Sequence, residues 1–447
     1  MLGTLIEGQD MATNTETPVL SSAVVRPLHT LDPGGPLDDL GWLDEVIGDA
    51  RVVAIGESAH YNHESYQLRH RLMRYLVERH GFGAYAMETG FTEGHRTDRW
   101  VRGGEDRIGE VLAQGMTSLM GLWAPMRTLL EWMRQHNRTA ARPVGFYGID
   151  LSGSNLSLLP GLDAALDYLA EADPGFTVDP DLRKTAAAFA VPSAFSFAQA
   201  IAAYDGLEPA RRDALTAGLS ELTARLEGRC LDYRRRTGAA AYERALRSLR
   251  LTVTIDVNVR AMARGERESA FYNRDAAIAD TVEWILRRED RIVLAAHNGH
   301  VQRWPAHFPG LSPAATMGLH LADRLGEDYR VIATTNGSGQ TLNTGADFYT
   351  GTLFTELEPP EPGSLDALMA ASHEGPFAVD LRRLPPADAA TVRAISMQRY
   401  GTFSTELNPL EAFDAVVHLP RVTAAEPDDD AIACSPVDVR ERFQSRS

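Results

Sequence analysis

Apolar residues along this chain follow two rhythms. Five short runs, Arg51–Ile55, Ala84–Met87, Val144–Ile149, Arg291–Ala295 and Tyr329–Thr334, are apolar without strict alternation. That is the pattern of strands covered on both faces. Between them the spacing turns helical. His63–His80 repeats Tyr66, Leu68, Leu72, Met73 and Leu76 on one side, and Thr117–His136 and Arg274–Arg288 behave alike. Strand alternating with helix predicts an α/β fold with a mostly parallel central sheet flanked by helices.

The stretch from Gly161 to Arg264 breaks that rhythm. It is rich in Ala, Leu, Arg and Glu and poor in strand signals. It predicts an inserted all-helical subdomain with helices near Leu162–Ala170, Asp181–Phe189, Phe195–Tyr204, Glu208–Glu227 and Ala240–Arg264. Such an insertion forms either a wall over a cleft or a layer on the sheet, and the pattern does not choose between them. Residues 36–160 and 265–420 then make the α/β catalytic domain around the insertion at 161–264. Short strands are expected at Phe377–Leu381 and Asp414–Leu419. Residues 1–35 read as a flexible N-terminal segment, with little before Pro27 resembling core. Residues 421–447, with their EPDDD run and polar end, read as a disordered tail.

Composition narrows the function. The chain has 447 residues, 44% of them hydrophobic, enough for a sizeable core. Its formal net charge of −17 argues against nucleic acid or an anionic membrane as partner and leaves a small-molecule substrate. No apolar run reaches the roughly 18 residues of a membrane span. The N-terminus lacks the basic and apolar regions of a secretory signal, and Met11 is an alternative start. Cys230 and Cys434 stand far apart without metal-ligand spacing, as expected of a reduced cytoplasmic protein. No glycine-rich phosphate loop follows a strand, so no nucleotide cofactor is expected. Oligomeric state is not readable.

Candidate chemistry gathers after the strands, where open α/β sheets place their ligand crevice. Gly56-Glu57-Ser58-Ala59-His60 sets a carboxylate three residues before an imidazole. A neutral imidazole can take a proton from water near pH 7, and a carboxylate can orient it. Three further strand ends offer Glu88, Asp150, and the pair His297 and His300 with Asn298 between them. Any one of these alone reads as a helix cap or a solvated residue, but four ends share the pattern. Arg69, in the next helix, suits a carboxylate or a developing oxyanion, or is simply solvated. Ser58 is a weak nucleophile candidate, because His60 replaces the second glycine of a nucleophile elbow. Glu57-x-x-His60, His60-x-x-His63 and His297-x-x-His300 have ligand-like spacing, but none is a recognised metal motif in its proper context, and no metal is expected.

In order, these segments resemble the erythromycin esterase family. Gly56-Glu57-Ser58-Ala59-His60, Leu68-Arg69-His70-Arg71-Leu72, Glu88-Thr89-Gly90-Phe91, Phe146-Tyr147-Gly148-Ile149-Asp150, Ala296-His297-Asn298-Gly299-His300-Val301 and Met317-Gly318-Leu319-His320-Leu321 match its motifs from about Arg51 to Thr335. The resemblance implies a metal-independent esterase with His60 as general base. It implies that Glu57 and Glu88 orient or tune that base. His297 and Arg69 would line the site, one of them steadying the oxyanion or protonating the leaving alkoxide. Asp150 and His300 match motif positions and are expected, with Tyr61, to contact substrate. Two departures stand out: Ala59 where Thr or Ser is usual, and Tyr61 where glycine is usual. Tyr61 is expected to narrow or re-aim the pocket. The expected reaction is hydrolysis of an ester or macrolactone of an antibiotic-like substrate, giving resistance. The alternative is a biosynthetic enzyme of secondary metabolism using the same base for transesterification, cyclisation or elimination. An inactive binding protein on this fold is disfavoured by the intact Glu57, His60, Glu88 and His297.

Overall fold

The computed structural model describes residues 18–191, 193–307 and 312–444. Among the described residues there are eleven strands: β1 (Arg26–Pro27), β2 (Val52–Glu57), β3 (Ala84–Gly90), β4 (Gly145–Asp150), β5 (Ile292–His297), β6 (Tyr329–Leu342), β7 (Phe354–Glu356), β8 (Phe377–Asp380), β9 (Met397–Tyr400), β10 (Phe403–Glu406) and β11 (Ala415–Val422). The main sheet runs β1-β8-β11-β6-β2-β5-β3-β4, with β7 added to the far end of β6, and β9 and β10 form a separate hairpin. From β11 to β4 all neighbours are parallel, whereas β1, β7 and β8 pair antiparallel. The expected α/β architecture is thus present, as a mixed and mostly parallel sheet.

Burial on both faces explains the apolar strands. Along β2, Val52 and Ala54 join one core cluster while Val53 and Ile55 join the other. Two motif glycines serve close approach. A Cβ on Gly56 would stand 2.1 Å from Asn298 Oδ1, and Asn298 ties the loop after β5 to β6 by donating to the Thr334 carbonyl at 2.8 Å. A Cβ on Gly148 would stand 2.1 Å from the Gly90 carbonyl oxygen, where β3 and β4 pass. A larger residue at Gly148 would push β3 and β4 apart, and one at Gly56 would displace the Asn298 side chain from its place against β6.

The helical stretch carries Leu159–Ala172, Pro180–Ala187, Phe197–Asp205, Pro209–Gly228, Cys230–Thr237 and Ala239–Ala263, followed by Arg267–Leu286. Cys230–Thr237 was not anticipated; its DYRRRT sequence has little apolar periodicity. Leu162, Leu219, Leu249 and Ile255 belong to the same buried cluster as Val52 and Ala54, so these helices are continuous with one face of the sheet.

Three expectations differ from the structure. The helix expected over Thr117–His136 begins only at Ala124, because Ser118 and Leu119 take left-handed φ values of 52° and 61°. The segment before residue 36 is anchored from about Leu20 onward: β1 pairs with β8, Ser21 bonds Asp388, and Leu20, Val24, Val25 and Leu28 are buried. Residues 1–17 lie outside the described residues. The acidic tail is also built into the fold. Asp428 takes a two-pronged bond from Arg127, Asp430 pairs with Arg107, and helices Asp429–Ala433 and Val437–Gln444 bury Ala431, Val439 and Phe443. Two of these aspartates that looked solvated, Asp428 and Asp430, have arginine partners distant in sequence. Among the described residues, no helix is long and apolar enough to cross a membrane.

Candidate active site

The strand order sets the site. β2 and β5 are neighbours in parallel register, with Glu57 opposite His297 at their C-terminal ends. β3 flanks β5, and its pairing with β4 shifts register between Met87 and Gly90, so Glu88 sits at an irregularity. Such bulges re-aim side chains beside active sites.

His60 is the centre of the first group. Its Nδ1 lies 2.6 Å from Glu57 Oε1, and the other carboxylate oxygen of Glu57 lies 3.0 Å from Arg69 Nη2. Glu57 and Arg69 are both buried, while the His60 side chain keeps 19% exposure. Burial raises the Glu57 pKa, but Arg69 and the His60 hydrogen bond outweigh it and hold the carboxyl below its usual value. With Glu57 ionised, Nδ1–H donates to it. The basic lone pair is then on Nε2, which faces Glu88 Oε1 at 4.0 Å. Burial lowers the His60 pKa, yet the Glu57 hydrogen bond and the Glu88 charge more than reverse that, and the net shift is upward.

Tyr61 adopts φ of +65°, the left-handed region that favours glycine. Its ring stacks on Trp123 with centroids 5.1 Å apart, its hydroxyl donates to the Ser118 carbonyl, and its own carbonyl accepts from the Ala425 amide at 2.9 Å. These contacts hold a tyrosine where glycine is usual. Tyr61, expected to contact substrate, has its side chain buried and its hydroxyl proton directed at the backbone. Tyr61→Phe should therefore leave kcat within a few-fold of the parent and cost about 1 kcal/mol of stability, the net worth of one hydrogen bond. Urea unfolding beside a kinetic assay checks both.

A second group adjoins the first at Glu88. Glu88 Oε1 is 3.0 Å from Arg274 Nη2 and 3.3 Å from His300 Nε2, and Glu88 Oε2 accepts from the His297 backbone amide at 2.8 Å. Arg274 also forks onto Asp150, at 2.9 and 2.6 Å. His300 Nδ1 lies 2.9 Å from Asp275. Burial would lower the His300 pKa, but Asp275 and Glu88 on either side raise it to about 10, so His300 is a cation at neutral pH. Burial raises the Glu88 pKa, and His300, His60 and Arg274 together pull it well below the normal range.

His297 stands between the groups, its ring 5.3 Å from that of His60. Nε2 is 3.1 Å from the Ser58 carbonyl and Nδ1 accepts from the Gly299 amide at 3.0 Å. Burial, helped by the His60 charge, drives its pKa down to about 3, so it is neutral.

The expected residues Glu57, His60, Arg69, Glu88 and His297 therefore converge. Asp150 and His300, expected to contact substrate, are instead largely buried and spent on Arg274, Glu88 and Asp275. Arg274 and Asp275 were missed. The only sequence signal was a charged pair at the start of an apolar-periodic helix, which ordinarily reads as a solvated face. Among the described residues, no group of three His, Cys, Asp or Glu side chains is placed to hold a metal ion.

The family model described as erythromycin esterase matches residues 77–422. The chain belongs to the erythromycin esterase family. The Glu57, His60 and Arg69 group stands ahead of that matched span. Erythromycin esterase type II of Escherichia coli is 28% identical over 416 residues, covering 90% of this chain and 96% of that protein. Erythromycin esterase type I of Escherichia coli is 29% identical over 308 residues, covering 66% and 72%. Among solved structures, a Bacillus cereus protein superposes with a TM-score of 0.76 at 20% identity over 91% of this chain and 97% of that one. An erythromycin esterase mutant in its open conformation gives a TM-score of 0.73 at 24% identity over 90% and 98%. The family is one of ester hydrolases, and these structural likenesses carry the fold.

Proposed function

We propose that this family member is a metal-independent hydrolase that opens a macrolactone or cleaves a related ester of an antibiotic-like substrate. His60 is its general base. The observation that carries this reading is the chain of contacts Arg69, Glu57, His60, which ends on an Nε2 lone pair of a partly exposed imidazole. Nε2 takes a proton from water as the oxygen attacks the acyl carbon. Arg274 and His300 offset the charge of Glu88 and Asp150, so the tetrahedral oxyanion does not build up beside bare carboxylates. The intermediate collapses by breaking the acyl–oxygen bond, and the alkoxide leaves with the proton from His60 Nε2. Glu57 stays ionised and stabilises the imidazolium, the part a buried aspartate plays in a serine-protease triad. His297, neutral with both nitrogens engaged, serves to shape the cleft. The macrolactone comes from the two Escherichia coli relatives, whose names point to erythromycin.

The test is mass spectrometry of erythromycin, other macrolactones and simple esters after incubation with the purified protein, with and without a chelator. A product heavier by one water, formed equally with chelator, is expected. Unchanged substrate across the whole panel would overturn the hydrolase reading, and loss of turnover with chelator would overturn metal independence.

A further inference from the structure

We infer that a groove between the helices Ala239–Ala263 and Arg267–Leu286 is a binding site for a phosphoryl group, whether of a free phosphate or of a phosphorylated small molecule. The groove is a cavity of about 370 Å³ lined by Arg247, Arg250, Arg287, Arg288, Trp284 and Glu243, among others. Four guanidinium groups meet one carboxylate there. That concentration runs against a chain of net charge −17.

Arg247 marks this as a built site. It is 8% exposed and donates only to neutral groups: Nε and Nη2 reach the Thr281 hydroxyl at 3.2 and 2.6 Å, and Nη2 also reaches the Ala277 carbonyl. No carboxylate among the described residues lies within ion-pair distance of it. Asp280, the acid whose charge bears on Arg247, is taken by Arg324 at 2.8 Å. Arg250 pairs with Glu227 at 2.6 Å, and Arg288 pairs with Glu243 and lies over the Trp284 ring. Burial pushes the Arg247 pKa down to about 10 against the pull of Asp280, and Arg250 and Arg287 add to the fall.

Buried cations are ordinarily paired, because desolvation without a counter-charge is costly. A phosphoryl group answers that need. It carries close to two negative charges and three strong acceptor oxygens, which suit the planar donor fork of arginine. Exposed Arg287 and half-exposed Arg250 would close on it from the rim. The groove is distinct from the hydrolytic site: Trp284 follows Arg274 by ten residues of one helix, about 15 Å.

Isothermal titration of the full-length protein at low ionic strength tests this, with inorganic phosphate, pyrophosphate and adenosine monophosphate injected separately. Saturable binding of at least one is expected, weakened about tenfold or more by Arg287→Glu and by Arg247→Met. Preference for the nucleotide would assign an organic phosphate; equal or better binding of phosphate or pyrophosphate would assign the bare anion. If Arg247→Met fails to fold by circular dichroism, Arg287→Glu carries the comparison alone, since its side chain is exposed. Binding that is absent for all three anions, or unchanged in Arg287→Glu, would overturn the proposal.

Discussion

Replacing His60 by asparagine is expected to cut kcat/KM on the order of 10²–10⁴-fold, the usual worth of a positioned general base, with little change in folding stability. Asparagine keeps a donor for Glu57 but has no lone pair that titrates near neutrality. Glu57 keeps Arg69 at 3.0 Å, so no buried charge is stranded. The parent enzyme gives a matching pH signature. The base works only unprotonated, and its pKa is raised above 6.5. Activity should therefore fall as pH drops through that raised value and level off above it. The limb follows His60 alone, since His297 stays neutral and His300 stays charged across this range. A variant within a few-fold of the parent rate, or a flat profile from weakly acid to weakly basic pH, would remove His60 from the role of base.

How far these residues could be read from sequence depends on what places them. Glu57, His60, Glu88 and His297 sit at strand ends, and strand ends are visible as the points where apolar runs stop. A parallel sheet then brings them together without further information, as the register Glu57 opposite His297 illustrates. His63–His80 was legible to the residue, because Asn62 starts it in extended conformation and Gly81 ends it at φ of 68°. Arg274 and Asp275 were not legible. They lie on a helix, and which helical face meets the cleft is fixed by packing across the chain rather than by local pattern. The start at Ala124 was hidden for the same reason: Ser118 and Leu119 are held in left-handed conformation in part by the Tyr61 hydroxyl, a partner 57 residues away. The tail was misread because EPDDD looks solvated until Arg127 and Arg107 are brought to it.

The largest effect on stability is expected at Arg274. Arg274→Met should cost about 3–5 kcal/mol, the usual penalty for removing one partner of a buried ion pair. Arg274 is the cation shared by Asp150 and Glu88, whose side chains are 3% and 6% exposed. Methionine fills much of the volume but leaves two carboxylates facing each other with less compensation. Glu88 retains the cationic His300 and the His297 amide, whereas Asp150 is left with neutral amide donors alone, Leu151 at 2.7 Å and the Asn155 side chain at 3.1 Å. Adding Asp150→Asn to Arg274→Met should thus recover part of the loss, so the double variant is more stable than Arg274→Met alone. The pH dependence has a definite sign. The depressed Glu88 pKa stabilises the parent fold fully above the unfolded-state value of about 4.3 and is lost only as pH falls through the lower native value. Without Arg274 that native value rises, so acid unfolding of Arg274→Met should begin at higher pH. Urea titrations of the parent, Arg274→Met and the double variant at neutral pH, with an acid titration of the first two, measure all of this. Equal stability of parent and Arg274→Met, or no recovery in the double variant, would mean that the Asp150, Arg274 and Glu88 network does not hold the two halves of the site together.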